Sequence, residues 1–122
     1  EGALDRAAAV AEAIHAEFDN LEKTRLSGEV VRMAPKNVDA KDKSVLIVDD
    51  IISTGGTIEA AANQLKVLGA KSVIAVCTHG LFAKDALDRL RKCCNAVYST
   101  NTIENEVSVI SVAPEIAKVL RD

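Results

Sequence analysis

The sequence predicts an α/β fold with a mainly parallel sheet flanked by helices, on three observations. Short β-branched runs alternate along the chain with longer stretches whose apolar residues recur at helical spacing. "SVLIV" at residues 44–48 is apolar without alternation, as expected of a parallel strand covered on both faces. A Gly-rich turn, "STGGT" at 53–57, follows that strand and leads into an Ala-rich helical pattern.

The elements follow in order. Leu4, Ala7, Ala8, Ala11, Ile14 and Phe18 share one helical face, so a helix is expected over 3–18, with Asp5 near its positive end. Residues 18–22 read as a short strand. The polar "KTRLSGEV" reads as a mobile loop broken at Ser27 and Gly28. "VVRMA" at 30–34 is β-branched and stops at Pro35, the signature of a second, edge strand.

After the polar "KNVDAKDK" comes the central strand, 44–48, and then a helix over 57–68 closed by Gly69. The remaining pattern predicts a strand at 72–77, a helix at 83–93, strands at 96–99 and 107–111, and a helix at 114–120 with Pro114 near its start.

Composition narrows the function classes. The 122 residues suit one domain spanning 1–122, and 48% hydrophobic with 27% charged residues suit a folded soluble chain. Aromatic content is 2% and the net charge is -3, without a Lys/Arg stripe, which disfavours nucleic acid as a partner. No apolar run approaches the roughly 20 residues of a membrane span. Neither a membrane nor a signal peptide is therefore expected, and the chain reads as cytoplasmic. Cys77, Cys93 and Cys94 have no metal-ligand spacing and read as reduced structural thiols.

Ligands of open parallel sheets bind beyond the carboxyl ends of the strands, which is where "DDIISTGGT" falls. Gly55 and Gly56 let the backbone come close to a ligand, and Ser53, Thr54 and Thr57 add hydroxyls beside a helix start. These are the parts of a phosphate cradle; no Lys follows the glycines, so it is not a Walker A loop. Asp49 and Asp50 stand just before it, able to accept hydrogen bonds from sugar hydroxyls or to hold a hydrated Mg²⁺. The blander alternative is a turn that these residues merely shape. Lys23 and Arg25, by residue type alone, are most simply solvated charges. Arg32, Lys36 and Asn37 stand near that loop in sequence, with no spacing that demands a role. His79 either faces the site or packs locally, and it is left out of the catalytic set.

"VLIVDDIISTGGT" resembles the phosphoribosyl diphosphate motif of type I phosphoribosyltransferases and ribose-phosphate pyrophosphokinases. "GALDRAAAVAEAI", "LEKTR", "THGLF", "TNTIE" and "SVAPEIAKVL" follow in the order found in the C-terminal half of the pyrophosphokinases, archaeal ones in particular. The resemblance implies a type I phosphoribosyltransferase-like fold truncated at its N-terminus. An N-terminal α/β domain, and an apolar strand with an aspartate ahead of Glu1, would be missing. It implies transfer of diphosphate from Mg-ATP to the anomeric hydroxyl of ribose 5-phosphate, giving phosphoribosyl diphosphate and AMP. Ser53, Thr54, Gly55, Gly56 and Thr57 would hold the 5-phosphate, Asp49 and Asp50 the ribose hydroxyls, and Lys23 and Arg25 the transferring group. No metal ligand is assigned; Mg²⁺ is the expected cofactor, and the full-length protein is expected to be a homo-oligomer. Ser53 departs from the acid that many bacterial members carry, so it is kept as a phosphate contact only. The alternatives are a phosphoribosyltransferase of nucleotide salvage and a non-catalytic ribose-phosphate-binding module.

Overall fold

The computed structural model describes residues 2–18, 21–27, 30–35 and 39–121. Lys36, Asn37, Gly28 and the first residue, Glu1, lie outside these. The described elements are α1 (Gly2–Ile14), β1 (Leu21–Ser27), β2 (Val30–Pro35), β3 (Ser44–Ile52), α2 (Gly56–Val67), β4 (Ser72–Gly80), α3 (Ala86–Cys93), β5 (Ala96–Ser99) and α4 (Ala113–Arg121).

β3, β4 and β5 form a parallel sheet in that order, and β1 pairs with β2 as a separate antiparallel ribbon. Register places Val45 beside Val73, and Ile47 beside Ala75 and, one strand further on, Val97. Partners in a parallel ladder face the same way, so these residues line one face. That face meets α2 and α3: Ile58, Ala62, Leu65, Leu87 and Leu90 complete a core with Val73, Ala75, Cys77 and Val97. The opposite face is covered by α1 over β3. β3 is consequently half-buried rather than fully enclosed, and Ile74 and Val76 of β4 are likewise half-buried.

Helix ends explain several boundaries. Gly69, at φ 91°, closes α2 as predicted: its N–H reaches the Lys66 carbonyl at 3.0 Å and that of Ala70 the Leu65 carbonyl at 3.0 Å. This is a Schellman motif. α1 ends by the same device, with bonds from His15 to Glu12 and from Ala16 to Ala11, but His15 takes the left-handed position at φ 57°. No glycine marks that stop, so the helix ends at Ile14 and not at Phe18. α3 begins at Ala86 rather than residue 83 because Phe82, Lys84 and Asp85 all adopt positive φ.

Three expectations are corrected. The loop expected over "KTRLSGEV" is largely strand, with Lys23 opposite Met33 and Arg25 opposite Val31. A two-stranded ribbon is set by ladder pairing, so it needs no apolar alternation to be formed. The strand expected at 107–111 is reduced to one bridge between Thr100 and Ile110. Asn105 and Ser108 take the backbone groups a ladder would use: Val107 N–H donates to Asn105 Oδ1, Ser108 Oγ to the Asn105 carbonyl. β3 and β4 run past their predicted ends to Ile52 and Gly80, so Asp49 and Asp50 lie within β3 rather than at its close.

The three cysteines are free and buried. Burial pushes the thiols of Cys77 and Cys94 up to about 11 and about 12, which keeps them neutral and unreactive at physiological pH. Among the described residues no helix is long and apolar enough to cross a membrane.

Candidate functional site

Parallel strands end together, so the last residues of β3 and β4 and the turn after β3 meet at one sheet edge. Residues 53–55 form that turn, and Gly55, at φ 77° and ψ 2°, occupies the cap position of α2. The turn is anchored from one side. Leu81 and Phe82 N–H groups donate to the Ile52 carbonyl at 3.0 and 3.1 Å, and the Ala83 N–H donates to the Ser53 carbonyl at 2.8 Å. The Thr54 carbonyl accepts from Nη2 of Arg89.

A trans peptide points its carbonyl and the following N–H in opposite directions. With the carbonyls of 52, 53 and 54 turned toward the β4–α3 connection, the N–H groups of Ser53, Thr54 and Gly55 face the other way. Among the described residues none of the N–H groups from 53 to 58 donates to a protein acceptor. Ser53 and Thr54 are exposed, and Thr57 is half-buried at the first turn of α2. Free N–H groups, hydroxyls and the positive end of α2 give a concentration of donors suited to a small anion. The structure thus brings together the sequence-predicted Ser53, Thr54, Gly55, Gly56 and Thr57.

Asp49 and Asp50 stand just upstream on opposite faces of β3. Asp49 Oδ1 accepts the Asp50 N–H at 2.8 Å, and Asp50 Oδ1 accepts the Ile51 N–H at 2.8 Å. Arg6, on α1, reaches Asp50 Oδ2 at 3.3 Å. Burial and a hydrogen bond to Asp50 raise the Asp49 carboxyl above its ordinary value. The same bond to Asp49, followed by the Ile51 N–H, lowers Asp50. Of the two, Asp49 is therefore the harder to ionise and Asp50 the easier.

Asp49, with its raised value, favours the fold at low pH, and this contribution is lost as pH rises through its folded-state titration. Asp50, with its lowered value, favours the fold above the unfolded value, a contribution lost as pH falls. Asp49→Asn mimics the protonated form, so its melting temperature should gain on wild type as pH climbs from the carboxylate range to neutrality. Thermal melts of both proteins across that range check this; a difference independent of pH would contradict the raised value of Asp49.

Both Asp50 oxygens already accept a hydrogen bond, one from a guanidinium. The lone pairs that remain on the two carboxylates suit sugar hydroxyls or the water shell of a Mg²⁺ ion.

Lys23 and Arg25 lie two positions apart in β1, outside the three-stranded sheet that carries the turn. Two further groups were missed by sequence reasoning. Arg6 and Arg89 look like ordinary helix-surface cations, and nothing in their spacing marks the Asp50 carboxylate or the Thr54 carbonyl as partner. His79, left open by the sequence, stands at the end of β4 with Nδ1 2.8 Å from Thr102 Oγ1, which is itself 3.0 Å from the Thr78 carbonyl oxygen.

The model of the phosphoribosyl transferase domain family matches residues 1–116. Ribose-phosphate pyrophosphokinases of Pyrococcus abyssi and Pyrococcus furiosus are 52% and 50% identical to this chain, each over 98% of it. The chain spans 42% and 43% of their respective lengths. A crystal structure of phosphoribosylpyrophosphate synthetase from Mycobacterium smegmatis superposes with a TM-score of 0.78 at 33% identity. That match covers 99% of this chain and 41% of the other.

Proposed function

The chain belongs to the phosphoribosyl transferase domain family, and from that membership we propose that it is the C-terminal, ribose 5-phosphate-binding part of a ribose-phosphate pyrophosphokinase. The observation that carries the reading is the turn at 53–57, where the backbone N–H groups have no protein acceptor among the described residues and three hydroxyl side chains stand beside the start of α2. A dianionic phosphate supplies the acceptors such a turn lacks. Asp49 and Asp50, upstream on the same strand, accept from the ribose hydroxyls.

In the complete enzyme the anomeric hydroxyl oxygen attacks the β-phosphorus of ATP. A new O–P bond forms, the bond from the β-phosphorus to the oxygen bridging it to the α-phosphate breaks, AMP leaves, and the hydroxyl proton passes to solvent. Lys23 and Arg25 stabilise charge on the moving diphosphate, because this kind of transfer asks for positioning and cations more than for covalent help. Mg²⁺ arrives with the nucleotide, and no step is assigned to a metal held by Asp49 or Asp50. The homo-oligomer and the cytoplasmic setting belong to this same proposal.

The relatives' names favour this reading over base-accepting phosphoribosyl transfer, and so does the scatter of aromatics. Phe18 lies beyond α1, Tyr98 is in β5, and Phe82 packs against the core, so these three form no common hood for a base. Titration calorimetry with ribose 5-phosphate should show binding by the chain and a loss of about tenfold or more in Thr54→Ala, the removal of one charge-assisted hydrogen bond. Equal affinities would count against the cradle. Little or no AMP should be released from ATP and ribose 5-phosphate by this chain alone.

A further inference from the structure

We propose that Arg89 is a positioning residue of the cradle, a guanidinium on the neighbouring βα unit that sets the direction of the Thr54–Gly55 peptide. The inference rests on the ribose 5-phosphate reading above and adds to it a residue outside the motif. Arg89 makes three contacts from one planar group. Nη2 donates to the Thr54 carbonyl and, at 3.4 Å, to the Lys84 carbonyl, while Nη1 meets Glu59 Oε2 at 2.9 Å.

Each contact ends on a different part of the cradle's support. Thr54 is the turn itself. Glu59 lies in the first turn of α2, with its N–H on the Gly55 carbonyl at 2.8 Å. Lys84 sits in the connection where Phe82, Lys84 and Asp85 hold positive φ, a conformation that persists in such residues only when their surroundings over-determine it. That connection also donates to the Ile52 and Ser53 carbonyls. Backbone donors thus fix the first two peptides of the turn, and the third, from Thr54 to Gly55, depends on the Arg89 side chain. If the Thr54 carbonyl is released, the Gly55 N–H is no longer aimed at the open side, because the two move as one plane. A lysine could satisfy one acceptor but not the planar set.

The experiment pairs binding with a ligand-free readout on this chain. Calorimetry with ribose 5-phosphate and amide NMR spectra without ligand are recorded for wild type, Arg89→Gln, Arg89→Lys and Glu59→Gln. In Arg89→Gln the amide signals of Thr54, Gly55 and Gly56 should shift or broaden before ligand is added, and affinity should fall about tenfold or more. Arg89→Lys should recover only part of it. Unchanged affinity together with unchanged amide signals in a folded Arg89→Gln protein would overturn the proposal. If wild type itself fails to bind, the ribose-phosphate reading falls, and the role of Arg89 is decided by the ligand-free amide signals alone. Should Arg89→Gln not fold, Glu59→Gln keeps the Thr54 contact while loosening its brace. A smaller shift of the same amides would then support the role, and none would refute it.

Discussion

Leu90→Ala should lower the unfolding free energy by about 2–5 kcal/mol, the range for deleting a fully enclosed leucine side chain. Leu90 has no exposed surface and belongs to the core cluster with Leu87, Leu65 and Val97. It also lies under the cradle: a β-carbon placed on Gly55 would meet its Cδ1 at 3.3 Å. The loss should appear in urea titrations as a lower midpoint with an unchanged slope, since the surface exposed on unfolding hardly alters. Val67→Ala is the matching control, because Val67 is 80% exposed on α2 and should stay within about 0.5 kcal/mol of wild type. A similar, small effect from both would mean that α3 does not support the sheet as described. Such a result would remove the floor on which the 53–57 turn rests.

The βα core was legible in the sequence because its signals are local. Apolar runs gave β3, β4 and β5; Gly69 marked the end of α2; "STGGT" gave the turn. What was not legible rests on conformations and contacts that leave no mark in the local pattern. The end of α1 rests on His15 in a conformation usually left to glycine. The lost strand at 107–111 follows from Asn105 and Ser108, whose side chains outcompete a ladder only once β5 is beside them. "KTRLS" pairs with "VVRMA" through the backbone, which leaves no hydrophobic period to read.

The site divides along the same line. Asp49, Asp50 and 53–57 lie close together in sequence, and the motif alone nominates them. Arg6 and Arg89 stand 44 and 35 positions from their partners, Asp50 and Thr54, and no periodicity links them. Lys23 and Arg25 were named through resemblance, and their role stays a proposal to be tested in the complete enzyme.

The adjacent glycines of the turn should respond to alanine in opposite ways. Gly55→Ala forces a side chain into the left-handed region at φ 77°, at a cost of about 1–2 kcal/mol. The new methyl group would press on Leu90 Cδ1 at 3.3 Å and Ala86 Cβ at 3.4 Å, neither of which has room to retreat in a closed core. Gly56 begins α2 with ordinary backbone geometry, and a β-carbon there meets nothing within 4 Å. Alanine at 56 should therefore hold or raise stability, by up to about 1 kcal/mol, through the lower entropy of its unfolded chain. Its methyl group, however, would enter the open space beside the free N–H groups, where the phosphate of the proposed ligand needs close approach. Gly56→Ala should then melt no lower than wild type yet bind ribose 5-phosphate about tenfold or more weakly, whereas Gly55→Ala loses both. Thermal melts and calorimetry on the two variants separate these outcomes. A Gly56→Ala protein with undiminished affinity would show that the space above the turn is not where the ligand sits, since a protein methyl group and a phosphate oxygen cannot share it.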